Sequence, residues 1–213
     1  MEVAQPGTAM EIELGPDVAL LPGFVNTHTH LELTGTAVDA DPADFRSWLL
    51  AIRESNANGD ETEQYEATCR GIKSMWAQGV TTVAATGSSG LVIAALDALG
   101  ASGTAYHEVF GPDPAQCDAA IERFSADLDR LAHHAVGRVA LGVSPHAPYT
   151  VSGDLYRATV AMANAHGVGL AIHIAEPAAE RELLEGFTGD FATAFSERQI
   201  PRPSNTPISP IGY

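Results

Sequence analysis

Basic residues are scarce in this sequence. It has 11 lysines and arginines against 27 aspartates and glutamates, and its net charge is −16 at pH 7. Nucleic acids and anionic lipid surfaces are bound mainly through lysine and arginine, so this balance argues against both as partners. We therefore predict neither a nucleic-acid nor a membrane partner, and we interpret the acidic residues as a solvated surface.

Cysteine and long apolar runs are also scarce. The two cysteines, Cys69 and Cys117, stand far apart, which argues against a disulfide framework. No apolar run approaches the roughly 18 residues of a membrane span, and the N-terminal segment shows neither the basic nor the apolar region of a secretion signal. These absences predict a cytoplasmic location.

The sequence does contain enough apolar residues to build a core. They make up 45% of the 213 residues, which excludes an intrinsically disordered chain. Predicted strands cover residues 9–14, 19–27, 80–86, 104–110, 138–144 and 168–175. Predicted helices cover residues 43–56, 61–78, 91–99, 114–132, 153–166, 177–185 and 189–198. Strands that alternate with helices indicate parallel βαβ units and therefore an α/β fold.

Histidines stand at the ends of several predicted strands. His28 and His30 follow the first strand of the alternating series, His146 follows the fourth, and His173 ends the fifth. Chemistry at the C-terminal ends of many strands favours a barrel over an open doubly wound sheet. A dinucleotide-binding fold would instead carry a GxGxxG motif after its first strand.

The spacing of these residues predicts a metal site. Residues two apart in a strand share a face, so His28 and His30 can bind one ion. His173 begins a His-x-x-Glu motif that adds a third imidazole and the carboxylate of Glu176. Imidazole suits zinc or iron, and a nearby carboxylate can move the protons of a water at the open position of a catalytic site. We predict one divalent ion, zinc, with iron as the alternative.

Other interpretations of the same residues remain open. The two neighbouring histidines could be ordinary loop residues, and His146 could shape a proline-rich turn. Glu176 could be a favourable acidic charge at the start of a helix that Pro177 opens. Either His107 or Glu108 must face the interior of the barrel, but the alternation of side chains along a strand does not show which of them does.

Three segments, PGFVNTHTHLE, VSPHAPYTVS and HIAE, occur in this order and resemble motifs of the amidohydrolase superfamily. They resemble most the branch of cytosine deaminases, chlorohydrolases and nucleoside deaminases, which includes enzymes acting on S-adenosylhomocysteine and aminodeoxyfutalosine. The resemblance implies a metal-dependent (β/α)8 TIM barrel. It also implies that His28, His30 and His173 are metal ligands, that Glu176 is the acid/base residue, and that His146 contacts the substrate.

The sequence also departs from the family pattern. Members carry another histidine after strand six and an aspartate ligand after strand eight, whereas only five βα units are predicted here. We therefore expect a partial barrel over residues 19–213, truncated before strand six, with residues 1–18 as the remnant of an N-terminal β segment. We interpret the chain as a fragment that is inactive alone. A natural short form completed by a partner chain is the alternative.

The single lysine bears on the number of metal ions. Binuclear members of the superfamily bridge two ions with a carboxylated lysine at the end of strand four. The corresponding segment here, RVALGVSPHAP, contains no lysine, and Lys73 stands far upstream on a predicted helix. We therefore predict a mononuclear site.

Together these features predict a hydrolase of carbon–nitrogen bonds other than peptide bonds. The substrate would be a small purine-like or other aromatic aminated molecule, which a metal-activated water deaminates. One alternative is chlorohydrolase-type removal of a non-amine leaving group. Another is a catalytically incomplete metal-binding fragment. The protein could also form a homodimer.

Overall fold

A computed structural model describes residues 12–41, 44–203 and 207–213. Five parallel strands pair in chain order to form one sheet: β1 (Phe24–Thr29), β2 (Val80–Gly87), β3 (Gly103–Val109), β4 (Val139–Pro145) and β5 (Gly169–Leu170). The helices are α1 (Phe45–Asn58), α2 (Glu61–Ala77), α3 (Leu91–Ala98), α4 (Cys117–Leu131), α5 (Gly153–His166), α6 (Ala178–Arg181) and α7 (Gly189–Glu197). The predicted α/β partial barrel is confirmed, because the strands and intervening helices form a half-barrel.

Local sequence explains where several helices begin and end. Asp44 accepts a hydrogen bond from Ser47 N at the start of α1, and Ser152 accepts one from Leu155 N at the start of α5. Such side chains satisfy backbone N–H groups that have no partner within the first turn. Gly79, which lies just beyond the end of α2, has a φ of +81°, a conformation that glycine adopts without a steric penalty.

The helices cover one face of the sheet, and the hydrophobic core lies between the helices and that face. On β2 and β3, Val83, Ala85 and Ala105 pack against buried residues of α3, including Ile93 and Leu96. The alternate residues of these strands therefore face the other side, which is the interior of the half-barrel. An inward-facing side chain near the C-terminal end of a strand can therefore contribute to a site in this interior.

The two edge strands differ from their predicted bounds. β1 begins at Phe24 rather than at residue 19, and β5 ends at Leu170 rather than at residue 175. Beyond β5 the ladder becomes irregular, because Ala171 N donates to Val143 O while His173 N donates to His146 O. Between these two hydrogen bonds the chain after β5 advances by two residues, whereas the chain of β4 advances by three. Pro145 lies in this interval and has no N–H to donate, which explains why regular pairing stops there.

Two further predictions concern the termini and the loops. Residues 9–11 of the predicted short strand lie outside the described residues, and residues 12–14 are not in a strand. The boundary predicted between residues 18 and 19 stays a prediction. The predicted helix 177–185 is present as α6 followed by a π-helical turn, Glu182–Gly186. In the described ranges, the helices all fall short of the length and apolarity that a membrane span requires.

Candidate metal centre

The predicted metal ligands meet at one end of the half-barrel. His28 lies in β1, His30 directly follows it, and His173 follows β5, so the three residues come from opposite edges of the sheet. Ring nitrogens of all three lie within 4.8 Å of one another. Nε2 of His30 and Nε2 of His173 are 3.1 Å apart. The half-barrel therefore converts a separation of more than a hundred residues into one cluster of imidazoles.

This arrangement fits a single tetrahedral ion. Two nitrogens that each lie about 2.1 Å from one tetrahedral ion are separated by roughly 3.4 Å, close to the spacing of His30 and His173. Nδ1 of His30 is 3.2 Å from the hydroxyl oxygen of Thr86, and Nδ1 of His173 is 3.2 Å from the carbonyl oxygen of His146. The carbonyl can only accept, so His173 donates from Nδ1 and keeps a lone pair on Nε2. Such partners orient metal-binding imidazoles.

Burial favours the neutral form of two of these imidazoles, those of His30 and His173. Burial, together with the neighbouring His173 and His28, lowers the pKa of His30 to about 4. Burial is also the main cause that lowers the pKa of His173, partly opposed by the Glu176 carboxylate. A neutral imidazole has the lone pair that a metal ion needs. At neutral pH these two imidazoles could bind an ion without first losing a proton.

Glu176 lies beside this cluster, and Tyr149 fixes its carboxylate. The Tyr149 hydroxyl donates a hydrogen bond of 2.5 Å to Oε2 of Glu176. Burial, followed by the hydrogen bond to Glu176, raises the pKa of Tyr149, so its hydroxyl stays protonated and remains a donor. Tyr149 is itself immobilised, because its ring is buried and stacks on Phe191 with 4.5 Å between ring centroids. The carboxylate is thus oriented before any substrate binds.

His146 faces the same site, with its ring centroid 4.8 Å from that of His173. Its Nδ1 is 2.7 Å from Oγ1 of Thr150, and that hydroxyl donates to the carbonyl of Ala147. Thr150 therefore accepts from His146, which leaves Nε2 of His146 with a free lone pair. Burial, with smaller effects of His173 and His30, lowers the pKa of His146 to about 3. The ring is neutral and can accept a hydrogen bond.

Comparison with known proteins identifies the family. The model of the amidohydrolase family matches residues 19–203. The chain belongs to the amidohydrolase family. An aminodeoxyfutalosine deaminase of Nitratiruptor sp. is 28% identical over 188 residues, which cover 87% of this chain and 46% of that protein. The chain thus spans about half the length of the curated relatives it matches.

Solved structures support the fold of this amidohydrolase. Helicobacter pylori aminofutalosine deaminase in complex with methylthio-coformycin has a TM-score of 0.75 at 22% identity, covering 86% of this chain and 44% of that one. An adenosine deaminase from Xanthomonas campestris with bound zinc has a TM-score of 0.62 at 20% identity, covering 83% and 41%. These structures confirm the fold, and the family match confirms the resemblance recognised from the three sequence motifs.

The structure resolves the choice between His107 and Glu108. His107 faces the helices, where its ring stacks on Phe124 of α4 at 5.5 Å and its Nε2 is 3.9 Å from Asp127. Glu108 faces the interior, and its Oε1 lies 3.9 Å from Nδ1 of His173 and has no hydrogen-bond partner among the described residues. Burial, and then the charges of Glu32 and Glu176, raise the pKa of Glu108 to about 8. The amidohydrolase therefore has a buried carboxyl group, that of Glu108, in addition to the exposed Glu176.

Sequence reasoning missed several residues that organise the site, among them Tyr149, Thr86 and Glu32. Thr86 is the second-last residue of β2, faces inward and contacts His30, a role that the strand-end argument applied to histidines would also have indicated. Glu32 follows the histidine pair and accepts hydrogen bonds from Ser88 N at 3.2 Å and from the hydroxyl of Ser89 at 2.5 Å. It ties the segment after β1 to the loop after β2. Only the tertiary contacts reveal this role of Glu32.

Proposed function

We propose that this chain carries the metal-binding and proton-transfer residues of a hydrolase that deaminates a purine-like nucleoside. The observation that carries the proposal is the convergence of three imidazoles beside a carboxylate that a buried tyrosine holds in place. The names of relatives support the substrate class, because they include aminodeoxyfutalosine deaminase and 5-methylthioadenosine/S-adenosylhomocysteine deaminase.

We propose that His28, His30 and His173 hold one zinc ion, with iron as the alternative. Such an ion, when bound, supplies Lewis acidity and lowers the pKa of a water molecule from 15.7 toward about 7. One ion rather than two is favoured, because β4 contains no lysine and Lys73 is exposed on α2. Zinc in the Xanthomonas campestris neighbour supports the same choice of metal.

Glu176 would move the protons of the reaction. It takes a proton from the attacking water, whose oxygen bonds to the aromatic carbon as the electron pair of the ring carbon–nitrogen double bond moves to the ring nitrogen. Glu176 passes this proton to the ring nitrogen, and it passes the second proton of the same water to the leaving amine as the carbonyl forms. The carbon–nitrogen bond then breaks, and the amine leaves as ammonia. Zinc deaminases of an unrelated class use a glutamate in the same way. Tyr149 keeps the Glu176 carboxylate in one orientation, and His146 accepts a hydrogen bond from the substrate.

This assignment of Glu176 favours deamination over dehalogenation. An amine must be protonated before it leaves, whereas chloride leaves without a proton, so an acid/base carboxylate contributes more to the first reaction. A cytoplasmic location and a homodimer stay predictions.

A product assay tests the proposal. The protein as its gene encodes it, loaded with zinc, should release ammonia from adenosine, 5-methylthioadenosine or S-adenosylhomocysteine at matched concentrations. A chlorinated s-triazine serves as the comparison substrate and should release little chloride. Chloride release without ammonia release would overturn the proposed reaction, and so would full metal occupancy with no turnover of any purine nucleoside.

A further inference from the structure

A second carboxylate organises the turn that carries Glu176. Glu180 lies on α6, and its side chain is completely buried. Its Oε1 accepts a hydrogen bond of 3.1 Å from the backbone N–H of Ala175, and its Oε2 accepts one of 2.9 Å from the backbone N–H of Glu176. Both oxygens thus bind the backbone, which leaves Glu180 poorly suited to carry a proton itself.

The turn needs such support because its backbone is strained. Ala175 has a φ of +57°, in the left-handed region that residues with a side chain rarely adopt. Strained backbone of this kind persists only where surrounding contacts determine it. The two hydrogen bonds that Glu180 accepts hold the backbone of Ala175 and Glu176 against one buried side chain. That side chain is anchored in turn, because Leu183 and Leu184 directly after α6 are fully buried.

We infer that Glu180 is a positioning residue that fixes the backbone of Glu176 for proton transfer. The inference rests on the proposed role of Glu176. Tyr149 orients the carboxylate at the end of the side chain, and Glu180 orients the backbone at its base. Proton transfer depends steeply on the position of the transferring group, so a loosened turn should slow the chemical step.

A double-mutant cycle tests this inference. Glu180→Gln keeps the volume of the side chain but has only one oxygen, so its amide group opposes one of the two backbone N–H groups. In the metal-loaded protein as its gene encodes it, we expect kcat to fall about 10–100-fold, as for other supporting contacts. KM and metal content should stay within about twofold, since Glu180 touches neither ligand nor substrate.

The cycle separates a positioning role from a general structural one. When Glu176 is already glutamine, adding Glu180→Gln should change kcat by less than about twofold, because the group it positions no longer transfers protons. If the two losses multiply instead, Glu180 does not act through Glu176 and the inference is overturned. If Glu176→Gln alone leaves turnover intact, the proposed function fails and this inference fails with it.

A matched control and a second variant complete the experiment. Asp60→Asn makes the same carboxylate-to-amide change where a side chain accepts the backbone N–H of Thr62, at the start of α2, and should leave kcat unchanged. A loss for Glu180→Gln no larger than this control would overturn the inference. Should Glu180→Gln not fold, Glu180→Asp keeps the charge and withdraws both oxygens by one methylene. It should also lose kcat at equal metal content, and parent-like kcat would contradict us.

Discussion

Replacing Glu176 with glutamine should lower kcat by about 10²–10⁴-fold while leaving the metal content and the fold unchanged. The amide has nearly the same shape as the carboxylate but cannot accept a proton and return it. One residue serves two steps, so we expect a loss in the upper part of that range. KM should change little, because the lost interaction acts mainly in the transition state.

The same variant distinguishes catalysis from helix capping. Glu176 directly precedes Pro177, which is the residue immediately before α6. If it were only a favourable charge at this helix start, the substitution should cost well under about 1 kcal/mol of stability and leave turnover nearly intact. Steady-state kinetics at equal metal occupancy provide the measurement. Turnover within about threefold of the parent would contradict the catalytic assignment.

Replacing His173 with alanine should reduce zinc affinity by more than about 100-fold and abolish turnover. Loss of a supporting contact to a metal ligand typically costs 10–100-fold, and loss of a ligand itself should cost more. Without His173, the cluster of three imidazoles keeps only the ring nitrogens of His28 and His30. Competition titration with a zinc-binding dye measures the affinity.

The control for this variant is a histidine outside the cluster. His133 is exposed and its Nδ1 lies 2.7 Å from the carbonyl of Arg130, far from the strand ends that carry the site. His133→Ala should keep the zinc affinity of the parent. Unchanged affinity in both variants would mean that the ion binds elsewhere, and the proposed ligand set would be wrong.

Much of the fold was predictable because the inner strands have strong local signals. The β-branched run at residues 80–86 and the apolar run at residues 138–144 correspond to β2 and β4. The bounds of the edge strands β1 and β5 were less predictable, since the apolar run of each is longer than its paired segment. The end of β5 depends on Pro145 in the neighbouring strand β4, which has no N–H to donate. The sequence of β5 itself does not indicate where the pairing stops.

The site was predictable only in part, for a similar reason. His28, His30 and His173 stand at strand ends, where the rule for parallel sheets locates chemistry. Strand alternation gives opposite faces to His107 and Glu108, but the face that turns inward depends on packing against α4. Other supporting contacts join residues far apart, such as Thr86 to His30 across 56 positions, and one sequence without a structure does not reveal them.

Titration of the metal-free protein with zinc tests most directly whether one ion at the three histidines supports hydrolysis. Ammonia release from an aminated purine nucleoside should rise linearly with added zinc and reach its plateau at one equivalent per chain. His173→Ala should show no such rise at the same zinc concentrations. A plateau at two equivalents would contradict the mononuclear site. Full turnover without zinc or any other added metal would contradict the entire mechanism.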